Sequence, residues 1–151
     1  MHIRNVRIYK EDKRFEEGEI WIENGLFADS GAAGEPEETL DGEGCYAIPG
    51  LIDIHFHGCM GYDFCDGTEE AIAGIAEYEA SVGVTGINPA TMTLPVEELE
   101  DILATGAAYG RKQKDRPDQG RADFLGVNME GPFISEAKKG AQDARNILLC
   151  D

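Results

Sequence analysis

The spacing of hydrophobic and polar positions changes once along the chain. Over 1–48 apolar residues alternate in short runs, Ile3, Val6 and Ile8, then Ile20 and Ile22 around Trp21, separated by the polar stretch 10–18. A period of two in β-branched and aromatic residues predicts half-buried strands. Asn24 and Gly25, flanked by Ile22 and by Leu26 and Phe27, predict a tight hairpin, and the region reads as a small antiparallel sheet. Glu35, Glu37, Glu38, Asp41 and Glu43, set among glycines and a proline, predict an exposed acidic loop before 45–48 resumes a strand.

Pro49 and Gly50 then break the chain, which divides it into 1–48 and 49–151, and the period becomes helical. Ala71, Ile75, Tyr78 and Val82, with Ile72 and Ala76 beside them, form a stripe over 67–82 that Asp66 or Thr68 can cap and Gly83 can end. Pro95 suits the first turn of a second helix with the face Val96, Leu99, Ile102 and Leu103, and Arg111, Lys112 and Lys114 suit its carboxyl end. Apolar runs at 51–55, 84–91 and 124–129 lie before, between and after these helices. Strand, helix, strand, helix, strand predicts βαβ units on a parallel sheet, hence an α/β chain.

Units of this kind carry their working residues on loops at the carboxyl ends of the strands. The first run ends in His55, Phe56 and His57, the second in 88–91, and the third in Asn128, Met129, Glu130, Gly131 and Pro132. Side chains two apart on a strand point the same way, so Asp53, His55 and His57 share a face and two imidazoles converge. Glu130, at the same end of the sheet, adds an oxygen donor to two nitrogen donors, a set suited to a borderline divalent metal. A bare His-x-His is more often a pair of satisfied polar residues at a strand end. Glu130 changes that balance, because an unpaired carboxylate at the end of an apolar strand is costly and a cation answers the cost. A closed zinc site of His55, His57, Cys59 and Cys65 also has permissible spacing, but it accounts for neither Glu130 nor the βα pattern.

Composition narrows the partners. Thirty acidic residues against thirteen basic ones give a formal net charge of −17, which repels nucleic acid and anionic membrane and leaves no basic stripe. No apolar run approaches the roughly 20 residues that cross a bilayer, and the first residues alternate like a strand rather than like a signal peptide. A cytoplasmic protein is expected, with Cys45, Cys59, Cys65 and Cys150 reduced. His2, in the first strand, is expected to be exposed.

Three segments, PGLIDIHFHG at 49–58, GVNMEGPF at 126–133 and AKKGAQ at 137–142, together resemble the N-acetylglucosamine-6-phosphate deacetylases of the amidohydrolase superfamily. The first is shared widely in that superfamily; the Glu-Gly-Pro and Lys-Lys-Gly-Ala pair is far more specific. The resemblance implies strands of a small β-sandwich followed by the first three βα strands of a (β/α)8 barrel. It implies metal-dependent hydrolysis of the acetamide of N-acetylglucosamine 6-phosphate to glucosamine 6-phosphate and acetate. It also implies one or two divalent ions, zinc foremost, with His55, His57 and Glu130 as ligands, and a homodimer of the full-length parent. Ala141 and Gln142 fall where that family contacts its substrate; the latter position is histidine in some relatives, and a glutamine amide cannot become charged. Lys138 and Lys139 suit an anionic phosphate, although an exposed lysine pair is more often plain surface. The general acid/base aspartate falls beyond residue 151, so no catalytic residue is expected in this chain.

A (β/α)8 barrel takes about 250 residues, so the 151 residues here resemble its amino-terminal portion and alone are expected to be inactive or very weak. Two other readings stay open. One is an amidohydrolase acting on a different amide or a cyclic imide; the other is a non-catalytic fragment that assembles through its open sheet edge.

Overall fold

A computed structural model of the chain describes residues 1–29, 35–115 and 120–150. The chain divides into two compact units, Met1–Pro49 and Gly50–Asp151, each with its own sheet. No helix among the described residues is long and apolar enough to cross a membrane.

In Met1–Pro49 the strands are β1 (His2–Tyr9), β2 (Phe15–Glu23), β3 (Leu26–Ala28), β4 (Thr39–Asp41) and β5 (Tyr46–Ala47). β1 pairs antiparallel with β2, and β2 turns into β3 through Asn24 and Gly25, at φ 51° and 76°. Both turn residues are left-handed, which is why an Asn-Gly pair closes this hairpin. The sheet is mixed, not antiparallel throughout, because β4 and β5 each run parallel to β1. The pattern within a strand does not report its direction, which is why this was not foreseen. The predicted acidic loop is exposed at Glu35, Glu37, Glu38, Asp41 and Glu43, but it is not loop throughout, because β4 (Thr39–Asp41) forms within it. Between β4 and β5 the chain steps around an irregularity in β1, where Asn5 is at φ 56° and donates from Nδ2 to Asp41 Oδ1 at 3.0 Å. His2 is not exposed as expected: its ring stacks on Trp21 with centroids 3.9 Å apart, and Nε2 lies 3.0 Å from Glu19 Oε2.

In Gly50–Asp151 three strands, β6 (Leu51–Asp53), β9 (Val84–Ile87) and β10 (Asp123–Phe124), form a parallel sheet in the order β10-β9-β6. A hairpin of β7 (Gly58–Cys59) and β8 (Tyr62–Asp63) follows β6; sequence pattern did not indicate it. Here Gly58 has no substitute, since a Cβ would stand 2.1 Å from the Tyr62 carbonyl oxygen. Helix α1 (Glu69–Ser81) starts at Thr68, whose side chain accepts from Ala71 N, and Gly83 follows its end at φ 92°. Helix α2 (Val96–Lys112) starts after Pro95.

The helices cover one face of this sheet. Ile72, Ile75 and Ala76 from α1 and Ile102 from α2 meet Phe64, Ile87, Ala122 and Phe124 in one buried cluster. The buried face of α1 continues through Glu79, four residues after Ile75 and three after Ala76, whereas Tyr78 and Val82 are exposed. The predicted stripe had turned slightly the other way. On the opposite face, a Cβ on Gly86 would touch Leu125 and Ile52, and these two are exposed.

Candidate metal centre

The site is built where the parallel pairing frays. The strands are shorter than the apolar runs, but backbone hydrogen bonds continue beyond them: Asn88 N to Asp53 O at 2.7 Å, Ala90 N to Phe56 O at 2.6 Å, and Asn128 N to Pro89 O at 2.9 Å. An isolated parallel bridge joins Ala90 to Asn128, and Asn128 Nδ2 donates to Ile54 O at 2.9 Å. Three chain segments leaving the sheet are thereby held side by side, which sets the backbone from which the donors project.

His55 and His57 lie past the end of β6. Asp53 does not share their role: its Oδ1 accepts from His55 N at 3.0 Å and turns the chain there. The rings still converge, with His55 Nε2 at 2.9 Å and His57 Nε2 at 3.3 Å from the same oxygen, Glu130 Oε2. Among the described residues these three form a group able to hold a metal, their donor atoms all within 4.8 Å of one another. Cys59 and Cys65 stand outside it; Cys65 Sγ accepts from Met92 N, burial pushes its thiol upward, and all four cysteines are free.

The chemistry of this donor set fits a cation. His57 Nδ1 lies 3.2 Å from the Ala90 carbonyl oxygen, which can only accept, so Nδ1 carries a proton and the ring is oriented with Nε2 toward Glu130 Oε2. Nε2 and the carboxylate oxygen, 3.3 Å apart, are close enough to share either a proton or a cation between them. Orientation of a ligating imidazole by a carbonyl on its other nitrogen is the usual support of a metal-bound histidine. The Gln142 carboxamide first, and the His55 ring second, hold the Glu130 carboxyl below the usual carboxylate range, so it is anionic.

Glu130 itself is fixed by residues that sequence reasoning did not single out. Thr91 Oγ1 accepts from Glu130 N at 3.2 Å, and Thr93 Oγ1 donates to Glu130 O at 2.9 Å. Both threonines are buried. The signal available was Thr-x-Thr at the end of the second apolar run, which places both hydroxyls on one side of an extended chain. Gly131, at φ 96°, permits this approach; a Cβ there would stand 2.1 Å from Thr93 Oγ1. Of the remaining predicted positions, Ala141 is exposed, whereas Gln142 is 3% exposed with its carboxamide against Thr93 and Glu130. Lys139 Nζ donates to the Gln142 carbonyl, and Lys138 is exposed.

Fold and site together describe parallel βα units that bring a His, His, Glu donor set to the carboxyl ends of their strands. No family model matches the chain. The proteins it is similar to are N-acetylglucosamine-6-phosphate deacetylases, along their amino-terminal portion. It is 39% identical over 94 residues to that of Vibrio furnissii, covering 62% of this chain and 22% of the relative. It is 27% identical over 151 residues to that of Lysinibacillus sphaericus, covering 99% of this chain and 38% of the relative. Among solved structures it is similar to the deacetylase of Thermotoga maritima, with a TM-score of 0.80 at 26% identity, covering 100% of this chain and 38% of that one. The chain therefore spans well under half the length of these relatives.

Proposed function

We propose that this sequence serves metal-dependent removal of the acetyl group from N-acetylglucosamine 6-phosphate, giving glucosamine 6-phosphate and acetate. The observation that carries the reading is the meeting of His55 Nε2 and His57 Nε2 on one Glu130 oxygen, in a chain whose relatives are named for that activity. Region 1–48 is read as part of a β-sandwich and 49–151 as the first βα units of a (β/α)8 barrel; the parallel order β10-β9-β6 with helices on one face supports this.

His55 Nε2, His57 Nε2 and Glu130 Oε2 are the atoms that hold the metal, with zinc the expected ion because two imidazoles and a carboxylate suit it. When bound, a divalent cation supplies Lewis acidity and lowers the pKa of water toward about 7. The chain's own part is to present an anionic oxygen between two oriented rings. Ala90 orients the His57 ring, and Thr91 and Thr93 hold the Glu130 backbone N–H and carbonyl in place. Ala141 is exposed and is assigned here to substrate contact. A separate acid or base is needed to shuttle the proton to the departing amine. A cytoplasmic location and a homodimer complete the reading.

Equilibrium dialysis against zinc, followed by elemental analysis, tests it directly. Bound zinc that is lost in His55→Ala and in Glu130→Ala is expected. Zinc retained in both variants, or absent from the unaltered chain, overturns the centre. Acetate release from N-acetylglucosamine 6-phosphate, set against ring opening of a cyclic imide, then separates the sugar reading from the other amidohydrolase chemistry.

A further inference from the structure

We propose that Gln142 is a positioning residue for Glu130: it holds one carboxylate oxygen so that the other alone is presented to His55 and His57. The proposal rests on the reading that these three residues are metal ligands.

Both ends of the Gln142 carboxamide are committed. Its Oε1 accepts from Thr93 N at 2.7 Å and its Nε2 donates to Glu130 Oε1 at 2.6 Å. The orientation of the amide is not free, because a backbone N–H can only donate; Oε1 must face Thr93, and the NH2 group must therefore face the carboxylate. The backbone of Gln142 is anchored as well, with its N–H on Lys139 O at 3.1 Å and its carbonyl receiving Lys139 Nζ at 2.7 Å. At 3% exposure the side chain has no free polar atom to offer a sugar.

The arrangement splits Glu130 into two unequal oxygens. Oε1 points back to the amide, and Oε2 points forward, where both imidazole Nε2 atoms lie. A neutral donor does this without adding positive charge beside the cation site, which a lysine at the same place would do. The amide also joins the loop after β9, through Thr93, to the loop that carries Glu130. One side chain thus registers two of the segments that build the centre.

Zinc affinity measured by competition with a chromophoric chelator, on the unaltered chain, Gln142→Met, Glu130→Gln and the double variant, tests this. Loss of an oriented supporting group costs about 10–100-fold in metal affinity, so Gln142→Met is expected to weaken zinc binding by that factor. In the Glu130→Gln background the same change is expected to do nothing more. An equal loss in both backgrounds means Gln142 is merely structural and overturns the proposal, as does no loss at all. No zinc on the unaltered chain removes the underlying reading, a different result from a failed cycle. Nitrogen-edited NMR of the unaltered chain needs no variant. Its Gln142 amide protons are expected to stay protected from exchange as zinc loads, and loss of that protection overturns the proposal.

Discussion

In Met1–Pro49 one aliphatic side chain, Val6, is buried among the described residues, whereas Gly50–Asp151 encloses a continuous cluster from Phe64 to Phe124. The strands of the first unit are not poorer in apolar residues: Phe27 is 85% exposed, and Leu26, Leu40 and Ile48 are exposed with it. What differs is a second layer. Helices α1 and α2 close one face of the β10-β9-β6 sheet, and the same sheet's other face, with Ile52, Ile54 and Leu125, is as open as the first unit's. Strand composition creates a demand for cover, and only a packed layer meets it. The candidate centre sits at the end of the covered sheet, where backbone hydrogen bonds continue past the strands.

The largest expected effect comes from removing that layer's keystone. Phe64 is 1% exposed and meets Phe124 with ring centroids 6.0 Å apart; Phe64→Ala is expected to cost about 3–5 kcal/mol. Trp21, the single tryptophan, lies in the first unit, so helical circular dichroism and tryptophan emission report on different units. The helical transition is expected to move further than the Trp21 transition; equal movement of both breaks the comparison. Next comes Gly131→Ala, in which the positive φ alone costs about 1–3 kcal/mol and the clash with Thr93 Oγ1 adds to it. Zinc affinity should fall with stability, because the displaced Thr93 no longer supports the Glu130 carbonyl. In the first unit, Val6→Ala removes two methyl-sized groups and is expected to cost about 1.6 kcal/mol, at ~0.8 kcal/mol per methylene, read by Trp21 emission. A cost as large as that of Phe64→Ala would mean the single-layer sheet is better packed than its exposed residues indicate.

These differences were partly legible in the chain. The Asn24-Gly25 hairpin, the Thr68 cap and the parallel βα order each rest on local chemistry, and the structure has all three. The meeting of His55, His57 and Glu130 was legible because each donor ends an apolar run, even though the alternation stops at Asp53. What escaped depends on partners remote in sequence. Nothing within 39–47 says that β4 and β5 lie parallel to β1. Met60 is an unusual residue for the left-handed turn between β7 and β8, where it has φ 54°. The face of α1 could not be resolved to one residue by periodicity alone, so Glu79 was missed. Gln142 was legible as a position, but its bond to Glu130 depends on a loop packing that no local pattern encodes.

The smallest predicted effect is also the one in which the two units carry opposite signs. In the first unit, the Glu43 backbone N–H, then the Asn5 side chain, hold Asp41 below its ordinary 3.8. Its contribution is present above that value and is lost as pH falls through the lower folded value. In the second unit, burial first and the Asp53 charge second push Glu79 above its ordinary 4.5. The folded state then binds the extra proton, so stability falls as pH rises from 4.5 through the higher folded value, and no penalty exists below 4.5. Glu79→Gln is therefore expected to stabilise the helical transition at neutral pH, with the gain vanishing as pH drops below 4.5. Asp41→Asn is expected to lower the Trp21 transition at neutral pH, with the loss closing below 3.8. A Glu79→Gln difference that stays constant from acid to neutral pH would mean the carboxyl is solvated as well in the folded chain as in the unfolded one. The covered layer would then stop short of the last turn of α1, and the contrast between the units would end at Ala76.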